Sequence, residues 1–280
     1  MQSRNIEKVL EGQESVEAGI LTINRIIGSD HLSYLDPWIM FIELKLRNPS
    51  ELKFPNHPHA GFQSLTFTLN GSVEYQDVKG NKGIIPSGGA SFLNTGSGVV
   101  HTETPTPLNG YLHLYQLWIN VGSKDKFTSP KAIDVSADQI PTIIEENGSK
   151  IRVFSGNFKD TLGVFTEFSI KPLILDIDLA PGASFSHPIP KDFTVFAFMI
   201  KGSAMFGSDS SLKESEIGVF NISENCDRID IVGGEHGGRI FIAGAVPLNE
   251  PVCRNASCVM NTQQELDTAM GEFVSGTLQK

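Results

Sequence analysis

The chain has 280 residues, of which 22 are lysine or arginine and 32 aspartate or glutamate, for a formal net charge of −10, and 40% are apolar. That balance excludes nonspecific binding to a phosphate backbone, which needs a basic surface to release counterions. No segment approaches the roughly 20 apolar residues that span a bilayer, and residues 1–14 are too polar for a signal peptide. A soluble, cytoplasmic protein is therefore expected, with no membrane and no direct nucleic-acid partner.

The 27 glycines, 15 prolines and 18 phenylalanines favour a turn-rich β protein. Short apolar or alternating runs punctuated by glycine recur along the chain, at 19–28, 64–71, 110–121 and 193–202. This spacing predicts antiparallel strands in sandwiches or barrels. Asn70 and Gly71 both tolerate positive φ, and they predict a hairpin turn between flanking strands. A second turn is expected at 79–83. Helices are few: a short one is expected at 141–146. Another lies near the C-terminus, where Thr262 and Glu265 have capping-box spacing ahead of Leu266, Ala269 and Met270.

Three cysteines, Cys226, Cys253 and Cys258, form neither a C-x-x-C pair nor an even disulfide framework, and are read as free thiols in a reducing compartment. The N-x-S sequons at Asn147, Asn221 and Asn255 are read as chance matches.

Sliding the chain by 131 residues lays Phe62 on Phe193 and residues 66–72 on 197–203. The same offset sets Pro188 opposite His57 and Pro190 opposite His59. Two copies of one barrel are expected, over residues 1–135 and 136–280, with ligands in the first and a degenerate site without metal in the second.

The ligands come in two pairs, His57 with His59 and His101 with Glu103. Residues two apart on a strand project from one face, so each pair can grip one ion. Three neutral imidazoles and one carboxylate, with no thiolate, make a donor set of the mononuclear non-haem iron type. Fe(II) is expected; Mn, Ni or Zn would fit the same residues. The remaining histidines receive plainer readings. His113 stands on the 110–121 strand as a possible neighbour of the site, His187 at a loop or strand edge, and His31 and His236 in loops.

Residues 57–77, HPHAGFQSLTFTLNGSVEYQD, resemble the first motif of the cupin superfamily and in particular of the pirins, whose version typically begins HPHRGFET. GSGVVHTETP (96–105), YQLWIN (115–120) and NEPVCRNASCVMNTQQEL (249–266) also resemble pirin segments, so the likeness runs from about residue 20 to 270. The resemblance implies an all-β bicupin: two antiparallel cupin barrels with a few short helices. One iron would be held at positions matching His57, His59, His101 and Glu103, in a protein that is usually a monomer. Pirins are known as quercetin 2,3-dioxygenases and, in animals, as nuclear cofactors of transcription factors. The resemblance therefore implies either cleavage of a flavonol with O2 or a metal-dependent, redox-sensing regulator that binds a protein partner without turnover.

In the first case Glu103 would take the flavonol proton as the catalytic base, and Phe54 and Gln116 would line the substrate pocket. Arg25 resembles an early pirin arginine that could help close it. Several positions depart from the family pattern. Gln63 stands where many pirins carry Glu, Ala60 and Ser97 replace arginines, and Ile42 replaces an Asp. The losses at Ala60 and Ser97 predict less positive charge near the metal-bearing strands.

Overall fold

The computed structural model describes residues 2–17, 20–47, 52–222 and 225–279. Gly19, at the head of the first expected strand, and Ser223, in the Asn221 sequon, lie outside the described residues. The expected all-β fold is the one observed: nearly all pairings are antiparallel, and one α-helix, Gln263–Val274, occurs among the described residues. No described helix is long and apolar enough to cross a membrane.

The chain forms two compact units that are discontinuous in sequence. One comprises residues 1–12, 30–32 and 140–247, and the other 13–29, 33–139 and 248–280. The division therefore differs from a split into 1–135 and 136–280 at both termini. Strand Ile6–Glu11 pairs with Glu216–Phe220, and the fully buried Arg4 donates to the carbonyls of Phe193, Pro190 and Lys191, so the N-terminal residues complete the unit built mainly from 140–247. At the other end, Val259 N–H donates to Ala60 O, and Leu266, Ala269 and Leu278 pack on Ala60 and Val100. Both joins are made by contacts between residues more than 150 positions apart, which no local pattern encodes.

The unit that carries the histidine pairs has two facing sheets. In the seven-stranded sheet the central strands are Phe62–Asn70, Tyr111–Asn120 and Trp38–Arg47; in the four-stranded sheet the order is Phe54–His59, Val99–Thr106, Ser72–Asp77 and Lys82–Ile85. Strand alternation divides each side chain set between two faces. Ile42, Leu44, Leu112 and Leu114 point inward and form an apolar plug with Leu21, Leu46 and Val73.

On the opposite face, Glu43 is only 4% exposed. Its Oε1 lies 2.7 Å from His113 Nε2, 2.7 Å from the Tyr115 hydroxyl and 2.8 Å from Lys45 Nζ. A carboxylate only accepts hydrogen bonds, so all three groups donate to it. His113 thus serves this cluster and faces away from the metal-type histidines. Burial alone would raise the Glu43 pKa, but the donors from His113, Lys45 and Tyr115 override it and draw it down from 4.5 to about 2. A depressed carboxylate pKa contributes stability that is complete above the unfolded value and lost as pH falls through the folded one, here between about pH 5 and 2 and worth about 3 kcal/mol. Urea unfolding of wild type and Glu43→Gln should show a gap that is wide at pH 6 and closes as pH falls to 2.5. A gap independent of pH would contradict this account.

Asn70 and Gly71 do not close a hairpin. The strands on either side belong to different sheets, and Gly71 marks the corner where the chain crosses between them. Gly71 has φ +83°, and a Cβ there would meet Thr106 O at 2.8 Å. Its counterpart 131 residues on, Gly202, has φ +75° and would meet Gly237 O at 2.5 Å, so the repeat is in register at this corner. The turn at 79–83 does close a hairpin, joining Ser72–Asp77 to Lys82–Ile85. The expected helix at 141–146 is instead strand Thr142–Ile144, paired with Lys150–Ser155 through a turn at Asn147 and Gly148. The β-branched run Thr142, Ile143 and Ile144 and that Asn-Gly turn outweigh the helical composition.

The repeat slips at its other end. In strand Ser184–Pro188 the residues facing the core are Phe185 and His187, followed by Ile189, whereas Pro188 and Pro190 are exposed. The interior positions matching the histidine pair are therefore held by His187 and Ile189, one residue from where the offset puts them. A shift of one residue on a strand exchanges its faces. His187 packs against the rings of Phe158 and Phe185, and burial lowers its pKa.

The C-terminal helix forms as expected, with both halves of the capping box present: Glu265 N–H donates to Thr262 Oγ1 and Thr262 N–H to Glu265 Oε2. The three cysteines are free. Burial pushes the Cys258 thiol up to about 11.

Candidate metal centre

Strands Phe54–His59 and Val99–Thr106 run antiparallel with His57 opposite His101 and Val99 opposite His59. This register brings three imidazoles together, with ring centroids 4.5 Å apart for His57 and His101, 4.8 Å for His57 and His59, and 5.1 Å for His59 and His101. One nitrogen from each ring lies within 4.8 Å of the other two. Donors around an ion at about 2.1 Å lie about 3.0–4.2 Å apart, so closure needs each ring to swing inward by about 1 Å or less.

The outer nitrogens are already engaged. His57 Nδ1 is 2.8 Å from Pro55 O and His59 Nδ1 is 3.2 Å from Ser257 O. A carbonyl can only accept, so each Nδ1 carries the proton and each Nε2 keeps its lone pair for a ligand. His101 Nε2 is buried with no hydrogen-bond partner. Such an orphaned polar atom costs free energy unless something supplies the missing partner. Burial, with the nearby His57, lowers the His101 pKa to about 4; burial, with His101 and His57, takes that of His59 well below the usual value. Neutral imidazoles with free lone pairs are the ligating form. The residues present fit a divalent transition-metal ion.

Glu103 comes from the same strand as His101. A register irregularity between them sets Glu103 opposite Phe54, and its Oε2 lies 3.9 Å from His57 Nε2. Burial raises its pKa, against the pull of His57.

The cluster opens into a cavity of about 600 Å³ between the two sheets. Phe62 and Trp118, stacked at 4.1 Å, form an aromatic wall beside His59. Gln116 lines the cavity; its amide donates to Thr66 Oγ1 and its carbonyl accepts from Trp118 Nε1. Phe54 does not line it and packs instead in the apolar plug. Ile42, opposite Gln116 in the sheet, belongs to the same plug. Gln63 faces away from the histidines, since Phe62, Ser64 and Thr66 are the inward members of its strand; its amide donates to Asn94. A carboxylate at this position would point away from the ion.

Ala60 is fully buried against Cys258 and Met260, while Ser97 lines the cavity. Arg25 donates to Ser15 Oγ on the neighbouring strand and is not among the residues lining the cavity. His31 lies 3.2 Å from Glu11 O, and both residues belong to the unit without the histidine pairs.

Two supports of the site left no local signal. One is Ser257 O, a backbone atom 198 residues from the histidine it orients. The other is Lys126, fully buried, whose ammonium donates to Gly61 O, Asn120 Oδ1 and Val259 O. The inward position Trp118 could have been found by counting two on from Gln116, but Phe62, Ser64 and Thr66 have the opposite parity to His59, because the chain leaves one strand at His59, turns at Gly61 (φ +80°) and starts another at Phe62.

Residues 21–119 match the family model Pirin, and residues 174–279 match the pirin C-terminal cupin domain. A pirin-like protein of Arabidopsis thaliana is 30% identical, over 97% of this chain and 89% of the relative. A Pseudomonas aeruginosa protein provisionally named quercetin 2,3-dioxygenase is 25% identical over 98% of both chains. The crystal structure of quercetin 2,3-dioxygenase from Acinetobacter baumannii superposes with a TM-score of 0.90 at 23% identity, covering 99% of this chain and 98% of that one.

Proposed function

The chain belongs to the pirin family, and from that premise we propose that it is a mononuclear iron(II) dioxygenase that opens a flavonol-type aromatic with O2. The observation that carries this reading is the convergence of three imidazoles on an aromatic-walled cavity of about 600 Å³, roomy enough for a ligand of three rings. His57, His59 and His101 would hold the ion, with Glu103 as the fourth ligand. When bound, the ion supplies Lewis-acid and one-electron chemistry toward dioxygen.

The chain's own groups do the rest. The Phe62 and Trp118 rings receive the flat faces of the substrate, and the Gln116 amide, fixed between Thr66 and Trp118, offers a positioned polar contact. The Glu103 carboxyl, its proton affinity raised by burial, accepts the proton of the flavonol hydroxyl and can return it to the product. The substrate ring opens to a depside with loss of carbon monoxide. The cavity walls keep bulk water from the reacting carbons.

Protein loaded with iron(II) should bleach quercetin in air, leave it unchanged under nitrogen, and release carbon monoxide in step with the bleaching. Stoichiometric iron with no oxygen-dependent loss of the flavonol would refute the enzymatic reading.

A further inference from the structure

The sequence departures at Ala60 and Ser97 suggest a site depleted of positive charge, but the residues lining the cavity present the opposite balance. Lys79, Lys82 and Lys131 all line it, against the carboxylates of Asp77 and Glu103, in a chain where acidic residues outnumber basic ones by 32 to 22. The three lysines are exposed while His59 and His101 are buried, so the lysines form the mouth of the cavity and the histidines its floor. Among the described residues neither Lys79 nor Lys82 forms an ion pair.

The loop that carries Lys79 and leads into Lys82 is held in place. Asp77 Oδ1 accepts from the N–H groups of Lys79 and Asn81, and Asp77 Oδ2 accepts from the side-chain amides of Asn81 and Gln279. Four donors thus occupy the one carboxylate at the mouth. Asp77 itself stands opposite His101 in the sheet, so the loop is tied to the strand that bears the metal-type cluster. The ordered loop backbone brings both lysines to the mouth, so only their side chains remain to be ordered in meeting an anion.

We infer that the ligand of this cavity is an aromatic acid: oxygen donors at one end directed to the histidine floor, a flat ring against Phe62 and Trp118, and a carboxylate at the other end received by Lys79 and Lys82. The inference rests on the reading of the cavity as the substrate site and adds the charge and polarity of what enters it. An ionised group at the mouth also concentrates the ligand there by electrostatic attraction, which salt screens.

The test is a binding measurement on iron(II)-loaded protein kept free of oxygen, by calorimetry. The probes are two catechol acids of different reach, protocatechuate and dihydrocaffeate, each beside its methyl ester. At low salt at least one acid should bind about tenfold or more tightly than its ester. The advantage should collapse in the Lys79→Gln, Lys82→Gln double variant and shrink steeply in about 0.5 M salt, with bound metal measured in parallel on both proteins. Acids and esters binding alike at both lengths would overturn the inference and leave the dioxygenase reading standing. Binding of none of the four by fully loaded protein would also overturn the inference, while the dioxygenase reading stands or falls on the quercetin measurement.

Discussion

His101→Ala should drop bound metal from one ion per chain to near zero, with affinity falling by more than about 100-fold, since even changes in the groups that merely orient metal ligands cost 10- to 100-fold. The reason lies in how the three rings are held. His57 and His59 are each tied by Nδ1 to a backbone carbonyl, whereas His101 offers a buried Nε2 with no partner in the protein. Removing it takes away the one imidazole whose polar atom only a ligand can satisfy. Two imidazoles and Glu103 remain, too few to outcompete water and buffer.

The metal-free fold should barely change, because the lost nitrogen was an orphan and the ring is replaced by a small cavity. The variant should therefore melt close to wild type without metal and lose the rise in Tm that added iron(II) or nickel(II) gives the wild type. Metal analysis after gel filtration is the direct measurement. A variant that keeps one ion per chain would refute the assignment of His101 as a ligand.

The second large effect is expected at Lys126. Its ammonium is fully buried and donates to Gly61 O at 2.9 Å, Asn120 Oδ1 at 2.8 Å and Val259 O at 3.0 Å. Burial pulls its pKa down to about 8 against the attraction of Glu250 and Glu265, so it is largely protonated at neutral pH. Lys126→Met keeps most of the volume and removes every donor, leaving three buried acceptors unpaired at about 1–3 kcal/mol each. Allowing for partial relaxation, a loss of about 3–5 kcal/mol is expected in urea unfolding.

The metal site should suffer as well. Gly61 follows His59 by two residues and Val259 follows Ser257 by two, so Lys126 clamps the segment that bears a candidate ligand to the segment whose carbonyl orients it. Metal affinity should fall about 10- to 100-fold in the same variant. A Lys126→Met protein within about 1 kcal/mol of wild type and with unchanged metal affinity would sink this account.

What could be read locally was read correctly where the physics is local. His57 and His59, and His101 and Glu103, are each two apart on a strand, and that spacing brought their side chains to one side. Thr262 and Glu265 are three apart and close a capping box. The corner glycines Gly71 and Gly202 share positive φ because each lets a strand turn where a Cβ would strike a carbonyl. Readings failed where a neighbour far along the chain decides. Asn70 and Gly71 have hairpin chemistry, but the strands they join find other partners. Pro188 and Pro190 match His57 and His59 by counting, yet alternation turns them outward. Phe54 is adjacent to the motif and still belongs to the apolar plug.

By itself, then, the sequence determined the all-β class, the doubled barrel, the family and the histidine cluster, because these follow from residue type and from spacings of a few positions. Only the tertiary structure decided which end of the chain completes which barrel, that Gln63 and His113 face away from the cluster, and that Ser257 and Lys126 stand behind His59. It also decided that Lys79 and Lys82 on one turn and Lys131 from a distant stretch meet at one cavity mouth. The physical reason is register: a slip of one residue inverts a strand's faces, and contacts across more than a hundred residues are set by the packing of whole sheets.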